Sequence, residues 1–197
     1  MVWFFDMLSA AIYAVIVQNL VFNGGYGISE AIRMASKPKK LFSTAGMIIY
    51  FSTVTAVICR LLDYIPVIES QNQTIHFLIF FGVLMAVYFV SGALSLIILK
   101  PDKRFMTKIS MCAMNTLVMA IPLINHRSVS TFWESIGTAF GSGVAFIVAS
   151  LLISVGFTKI AHNKKIPEPF KGTPIMFIYV ALLSMAVTGI TGSGVFA

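Results

Sequence analysis

Three groups of residues have the types to do chemistry, and their spacing separates them. The first is Gln18-Asn19-Leu20-Val21-Phe22-Asn23-Gly24-Gly25-Tyr26-Gly27-Ile28-Ser29, an apolar run that dissolves into amides, glycines and a hydroxyl. The second is Cys112 with Asn115, Thr116 and Pro122, set in another apolar run. The third is the scattered set Cys59, His76, His126 and His162, which lacks the spacing of a metal site. No nucleophile and base pair, phosphate loop or paired carboxylates fall within the apolar runs, so hydrolytic and phosphoryl-transfer chemistry have no residues to carry them. What remains is polar chemistry at membrane depth, where unpaired amides and hydroxyls are costly and mark sites or tight contacts.

The surrounding chain is hydrocarbon-seeking. It is 58% hydrophobic and 11% charged, with a mean hydropathy of +0.91, against about 45–50% apolar and 25% charged for soluble domains. This predicts an all-α integral membrane protein. Six apolar segments can be drawn, near Phe4–Ile28, Leu41–Leu62, Ile75–Leu99, Ile109–Ile124, Phe132–Ile160 and Pro174–Val195, each about the 20 residues a spanning helix needs. The start lacks the basic flank of a secretory signal and reads as part of the first span. Two cysteines exclude a disulfide scaffold and a cysteine-rich metal site.

Charge distribution fixes the expected orientation. Of the 14 basic residues, only Arg60 and Arg127 fall in the second and fourth loops. The others crowd the first loop (Arg33, Lys37, Lys39, Lys40), the third (Lys100, Lys103, Arg104, Lys108) and the fifth (Lys159, Lys164, Lys165, Lys171). Basic loops stay in the cytoplasm, so both termini are expected outside it. The net charge of +7 is thereby a topology signal, and nucleic acid is not an expected partner.

A Gly-rich break in a span survives only where protein or a water-filled cavity covers the freed backbone. Gly24, Gly25 and Gly27 break the first span, and the fourth, short and carrying Pro122, is expected to be a bent half-helix. Met85-Ala86-Val87 with Gly92 recurs as Met185-Ala186-Val187 with Gly192, and Asn19-Leu20-Val21 finds a partner in Asn115-Thr116-Leu117-Val118. Six transmembrane helices arranged as two inverted three-helix repeats, with helices 1 and 4 broken, account for this pattern. The chain is read as a single membrane domain, 1–197, with halves of about 1–100 and 101–197. Gly137, Gly141 and Gly143 with Ser142 form a small-residue face suited to helix contact. Cys112 lies one turn before Thr116 and can share its side of the helix.

Ile166-Pro167-Glu168-Pro169-Phe170-Lys171-Gly172, leading into Ala181-Leu182-Leu183-Ser184-Met185-Ala186 and Gly189-Ile190-Thr191-Gly192, resembles the C-terminal part of the Rnf/Nqr membrane-subunit family, on its RnfA/NqrE side. Ala139-Phe140-Gly141 through Thr158-Lys159-Ile160, Gln18-Asn19-Leu20-Val21, Gly27-Ile28-Ser29 and Asn115-Thr116 are similar too. The resemblance implies a multi-pass subunit in a bacterial or archaeal cell (inner) membrane. Its implied partners are membrane lipid, a homologous membrane subunit of opposite topology, and flavin- and iron-sulfur-bearing subunits of an ion-translocating electron-transport complex. The role it implies is at most that of a non-catalytic subunit of such a membrane oxidoreductase complex.

The resemblance also implies a [2Fe-2S] cluster shared with the partner subunit, each subunit supplying two cysteines. Here those positions are Ser29 and Thr116, and Glu30 replaces the proline that follows the first. Hydroxyls are poor stand-ins for thiolates at iron, and Cys112 is the nearest thiol. The expected site is therefore Asn19, Gly25, Ser29, Cys112, Asn115 and Thr116. Two other functions stay open: a small-solute or cation transporter using the oxygen donors, and a structural paralogue that handles no electrons.

Overall fold

The computed structural model describes residues 2–99, 102–128, 130–163 and 165–192. Ten α-helices follow one another among them: α1 (Val2–Ile16), α2 (Leu20–Asn23), α3 (Ile28–Ala35), α4 (Pro38–Asp63), α5 (Pro66–Glu69), α6 (Gln73–Leu99), α7 (Lys103–Ala113), α8 (Thr116–Arg127), α9 (Phe132–Ala161) and α10 (Thr173–Thr191). No strand occurs among the described residues. Five helical stretches are long and apolar enough to cross a membrane: α4, α6, α7 with α8, α9 and α10. The helix that opens the chain, α1, is a shorter apolar helix of 15 residues.

Helix ends follow local chemistry. Pro38 occupies the first turn of α4, where its missing N–H costs nothing. Thr131 and Glu134 form a reciprocal capping box at the start of α9, with Glu134 Oε2 accepting from the Thr131 amide at 2.6 Å. The far end of α10 closes on Gly192 at φ 70°, a left-handed conformation that glycine adopts without penalty.

The long helix α9 is the spine. It packs against α1, α3, α4, α8 and α10, and Phe146, Ile153 and Ala149 on α9 are fully buried with Ile48 and Phe51 of α4 and Leu117 and Ile121 of α8. Gly137 and Gly141 let α1 lie directly on α9, since a Cβ at either would strike the carbonyl oxygen of Met7 or Ala11. Gly143 does the same for Ile49 of α4. The small-residue face is thus a two-sided helix contact, the arrangement membrane helices use to bring backbones together. Trp3 and Trp133 pack together, tilted, at one end of that contact, 4.9 Å between centroids.

The outward faces of α6 and α10 stay apolar and exposed, as at Phe89, Val90, Ile97, Leu182, Met185 and Ile190. Such a rim suits lipid or a membrane partner.

One expectation about the fourth span, a bend at Pro122, needs correction. Its break falls at Met114–Asn115, between α7 and α8, and Pro122 sits inside α8. Asn115 adopts an extended backbone (φ −73°, ψ 132°) and its side chain accepts from the Leu117 amide at 2.9 Å, so an amide cap starts the new helix and the proline is carried within it. The first span is likewise three pieces, with breaks at 17–19 and 24–27. Val195, the expected end of the last span, and Lys100 and Lys164 of the basic loops lie outside the described residues.

Candidate functional site: the seam between two broken helices

At the first break the amides serve the backbone. Asn19 Oδ1 accepts from the amides of Val21 at 3.1 Å and Phe22 at 3.4 Å, while its Nδ2 reaches back to the Val15 carbonyl at 3.5 Å. Asn23 Nδ2 donates to the Val17 carbonyl at 2.9 Å. Between them these two side chains pair the carbonyls left at the end of α1 and the donors at the start of α2, which hydrocarbon could not solvate. Asn115 performs the equivalent task for α8.

The two breaks meet. The Gly27 amide donates to Thr116 Oγ1 at 2.9 Å, across 89 residues of sequence. Gly27 is buried and left-handed at φ 75°, and a Cβ there would lie 2.9 Å from Asn115 Oδ1. Only glycine lets the chain turn into α3 this close to the Asn115 cap. Gly25, also left-handed at φ 68°, faces open space. Two helix N-termini, those of α3 and α8, thus converge on one seam, and each carries a partial positive charge of about half a unit.

The expected site residues divide accordingly. Asn19 and Asn115 are buried caps, and Thr116 joins the breaks. Ser29 and Gly25 are exposed beside them. Ser29 opens onto a cleft of about 490 Å³ that runs from Ile32 and Arg33 on α3 to Met176 and Phe177 on α10. Cys112 is turned elsewhere: its thiol is fully buried and faces the Thr44 carbonyl of α4 at 3.8 Å. Gln18 lines a separate cleft of about 420 Å³ with Asn125, Ser130 and Glu134.

No family model matches the chain. Individual relatives do. The chain is 25% identical over 195 residues, 95% of its length and 97% of the relative's, to the A subunit of the ion-translocating oxidoreductase complex of Colwellia psychrerythraea. It is 27% identical over 192 residues, with the same coverage, to the protein of the same designation from Syntrophotalea carbinolica. A shorter stretch of 80 residues, 41% of each chain, is 32% identical to the A subunit of the proton-translocating ferredoxin:NAD(+) oxidoreductase complex of Clostridium ljungdahlii. The chain is Rnf/Nqr-like.

The [2Fe-2S] group that this kinship implies does not fit the residues present. At the seam the Rnf/Nqr-like chain offers the hydroxyls of Ser29 and Thr116, and the Thr116 oxygen already accepts the Gly27 amide. Both thiols, Cys59 and Cys112, are buried, and that of Cys112 faces the Thr44 carbonyl. Clusters of this kind need deprotonated sulfur, which the seam lacks.

Sequence spacing gives no hint of a second gathering of polar groups in this helical fold. Asp63 at the end of α4, His76 in the first turn of α6 and His126 in the last turn of α8 come together at the opposite end of the second and fourth spans from the basic loops. The one usable signal is that the second and fourth loops fall on the same side whenever spans alternate.

Proposed function

We propose that this chain is a membrane subunit of an Rnf-like, ion-coupled electron-transport complex, one that takes the place of the A subunit without holding iron itself. Similarity to such subunits from end to end carries this reading. The seam supports it physically. Two converging helix N-termini favour negative charge nearby, which suits a surface laid against a reduced electron carrier held by another subunit. The exposed Ser29, Gly25 and Thr116 are available to such a neighbour.

On this reading the fold is the six-helix inverted repeat, with halves of about 1–100 and 101–197 related through the paired breaks. Its neighbour is a homologous subunit of opposite topology, accompanied by flavin- and iron-sulfur-bearing subunits. Lys108 bonding to Ser43 at 2.5 Å and Arg127 bonding to Gln73 at 3.2 Å support the alternation, since each ties together helix ends assigned to one side. The basic side is cytoplasmic and both termini lie outside, in a bacterial or archaeal inner membrane.

A second reading, a cation pathway, has one observation in its favour: the seam presents oxygen donors and no accessible thiol, which suits a hard cation better than iron and sulfur. Affinity capture of the chain from native membranes separates the two. The redox reading expects flavin- and iron-sulfur-bearing subunits to come down with it in fixed ratio. Recovery without them, together with cation flux by the isolated chain in vesicles, would favour the pathway.

A further inference from the structure

We propose that Asp63, His76 and His126 form a binding site for a divalent first-row transition ion, zinc being the cation its donor set suits best. The three side chains come from the ends of α4, α6 and α8, and one ligand atom from each lies within 4.8 Å of the others. A tetrahedral zinc with bonds of 2.0–2.1 Å holds its ligands about 3.4 Å apart. His76 Nδ1 lies 3.7 Å from Asp63 Oδ1, close to this spacing, and His126 Nδ1 reaches the same carboxylate from its other oxygen, 3.2 Å from Oδ2.

Burial sharpens the case. The His76 side chain is 1% exposed and Asp63 4%, yet neither ring nitrogen of His76 nor Oδ1 of Asp63 has a hydrogen-bond partner in the protein. Buried polar atoms are seldom left so, and two of them, His76 Nδ1 and Asp63 Oδ1, face each other at 3.7 Å. A simple ion pair does not resolve this. If Asp63 binds the His126 ring at 3.2 Å, His76 stays orphaned, with its ring tilted over His126 at 3.8 Å between centroids. One ion accepting a lone pair from one nitrogen of each imidazole and from the free carboxylate oxygen gives Asp63 Oδ1 and a His76 nitrogen a partner at once. Two histidines and a carboxylate leave a fourth position for water, the donor set of open zinc sites.

The positive group nearby is Arg60, 3.7 Å from Asp63 Oδ2. Its guanidinium leans over the Tyr64 ring, 5.1 Å from the centroid, and so engages the carboxylate from the Oδ2 side, leaving Oδ1 to the ion. Phe80 packs edge-on against His126 and closes the apolar side. The site is separate from the seam, since eleven residues of α8 put His126 about 16 Å from Asn115 along the helix. It would pin the outer ends of three spans together.

The test is zinc stoichiometry on the full-length chain, purified in detergent with its native associates and without a polyhistidine tag, after stripping with chelator and reloading with zinc sulfate. About one zinc per chain above background is expected, with a rise in unfolding temperature on loading. The near-isosteric Asp63→Asn and His126→Gln should weaken zinc binding by at least the roughly 10–100-fold that loss of a supporting group costs, and should abolish the temperature rise while the stripped proteins still melt cooperatively. Cobalt in place of zinc should give the intense visible absorption of a tetrahedral nitrogen and oxygen site in wild type only. Failure of the wild-type chain to retain zinc, or retention of the same zinc by both variants, would overturn the proposal.

Discussion

The amide of Gly27 donates to Thr116 Oγ1 at 2.9 Å and locks the two broken helices to each other. Thr116→Val removes the acceptor at nearly constant volume and leaves a buried N–H unpaired, so it should cost about 1–3 kcal/mol. Thr116→Ser keeps the oxygen and should cost well under half of that. Thermal melts of the purified chain in one detergent make the comparison.

Gly27 and Gly25 should respond differently to alanine. Both are left-handed, which penalises any side chain by about 1–2 kcal/mol. At Gly27 the added Cβ also meets Asn115 Oδ1 at 2.9 Å and Leu117 Cβ at 3.3 Å, whereas at Gly25 it meets nothing. Gly27→Ala is therefore expected to be the more damaging by about 1 kcal/mol or more, read as a larger drop in melting temperature.

Caps at the two breaks should rank by the number of groups they pair. Asn19 satisfies two amides and a carbonyl, and Asn115 one amide. Replacement by alanine should cost about 0.5–2 kcal/mol for Asn115 and more for Asn19. Hydrogen exchange at Val21 and Leu117 would locate each loss.

Close contact between α1 and α9 should fail when Gly141 acquires bulk. Gly141→Val places a side chain against the Ala11 carbonyl, and overpacking of this kind costs about 1–3 kcal/mol. Protease cleavage within residues 2–16 should rise sharply in the variant, while Gly46→Val, where a Cβ meets nothing, should leave it unchanged.

Much of the positioning machinery was legible in the residue order, because it depends on local chemistry. Amides and glycines at 18–29 announce a break since hydrocarbon cannot solvate freed backbone, and α4, α6 and α9 run close to their apolar lengths. Pro122 misdirects, because a proline in a membrane helix can be carried by its neighbours, and here the Asn115 cap sets the break instead. Cys112 misdirects for another reason: one turn of helical spacing places it near Thr116, but packing of α7 on α4 decides that its thiol meets Thr44. The Asp63, His76 and His126 cluster could not be read from spacing at all, since its members lie on three different helices and only the fold unites them.

Placement of this chain in an Rnf-like complex without ligating its iron is tested most directly by the iron content and low-temperature EPR spectrum of the complex captured through it, wild type against Cys112→Ala. Equal iron and an unchanged spectrum in the two preparations are predicted, with iron supplied by the co-purifying subunits. Loss of a cluster signal in Cys112→Ala, or a wild-type capture that carries neither iron nor companion subunits, would contradict the account.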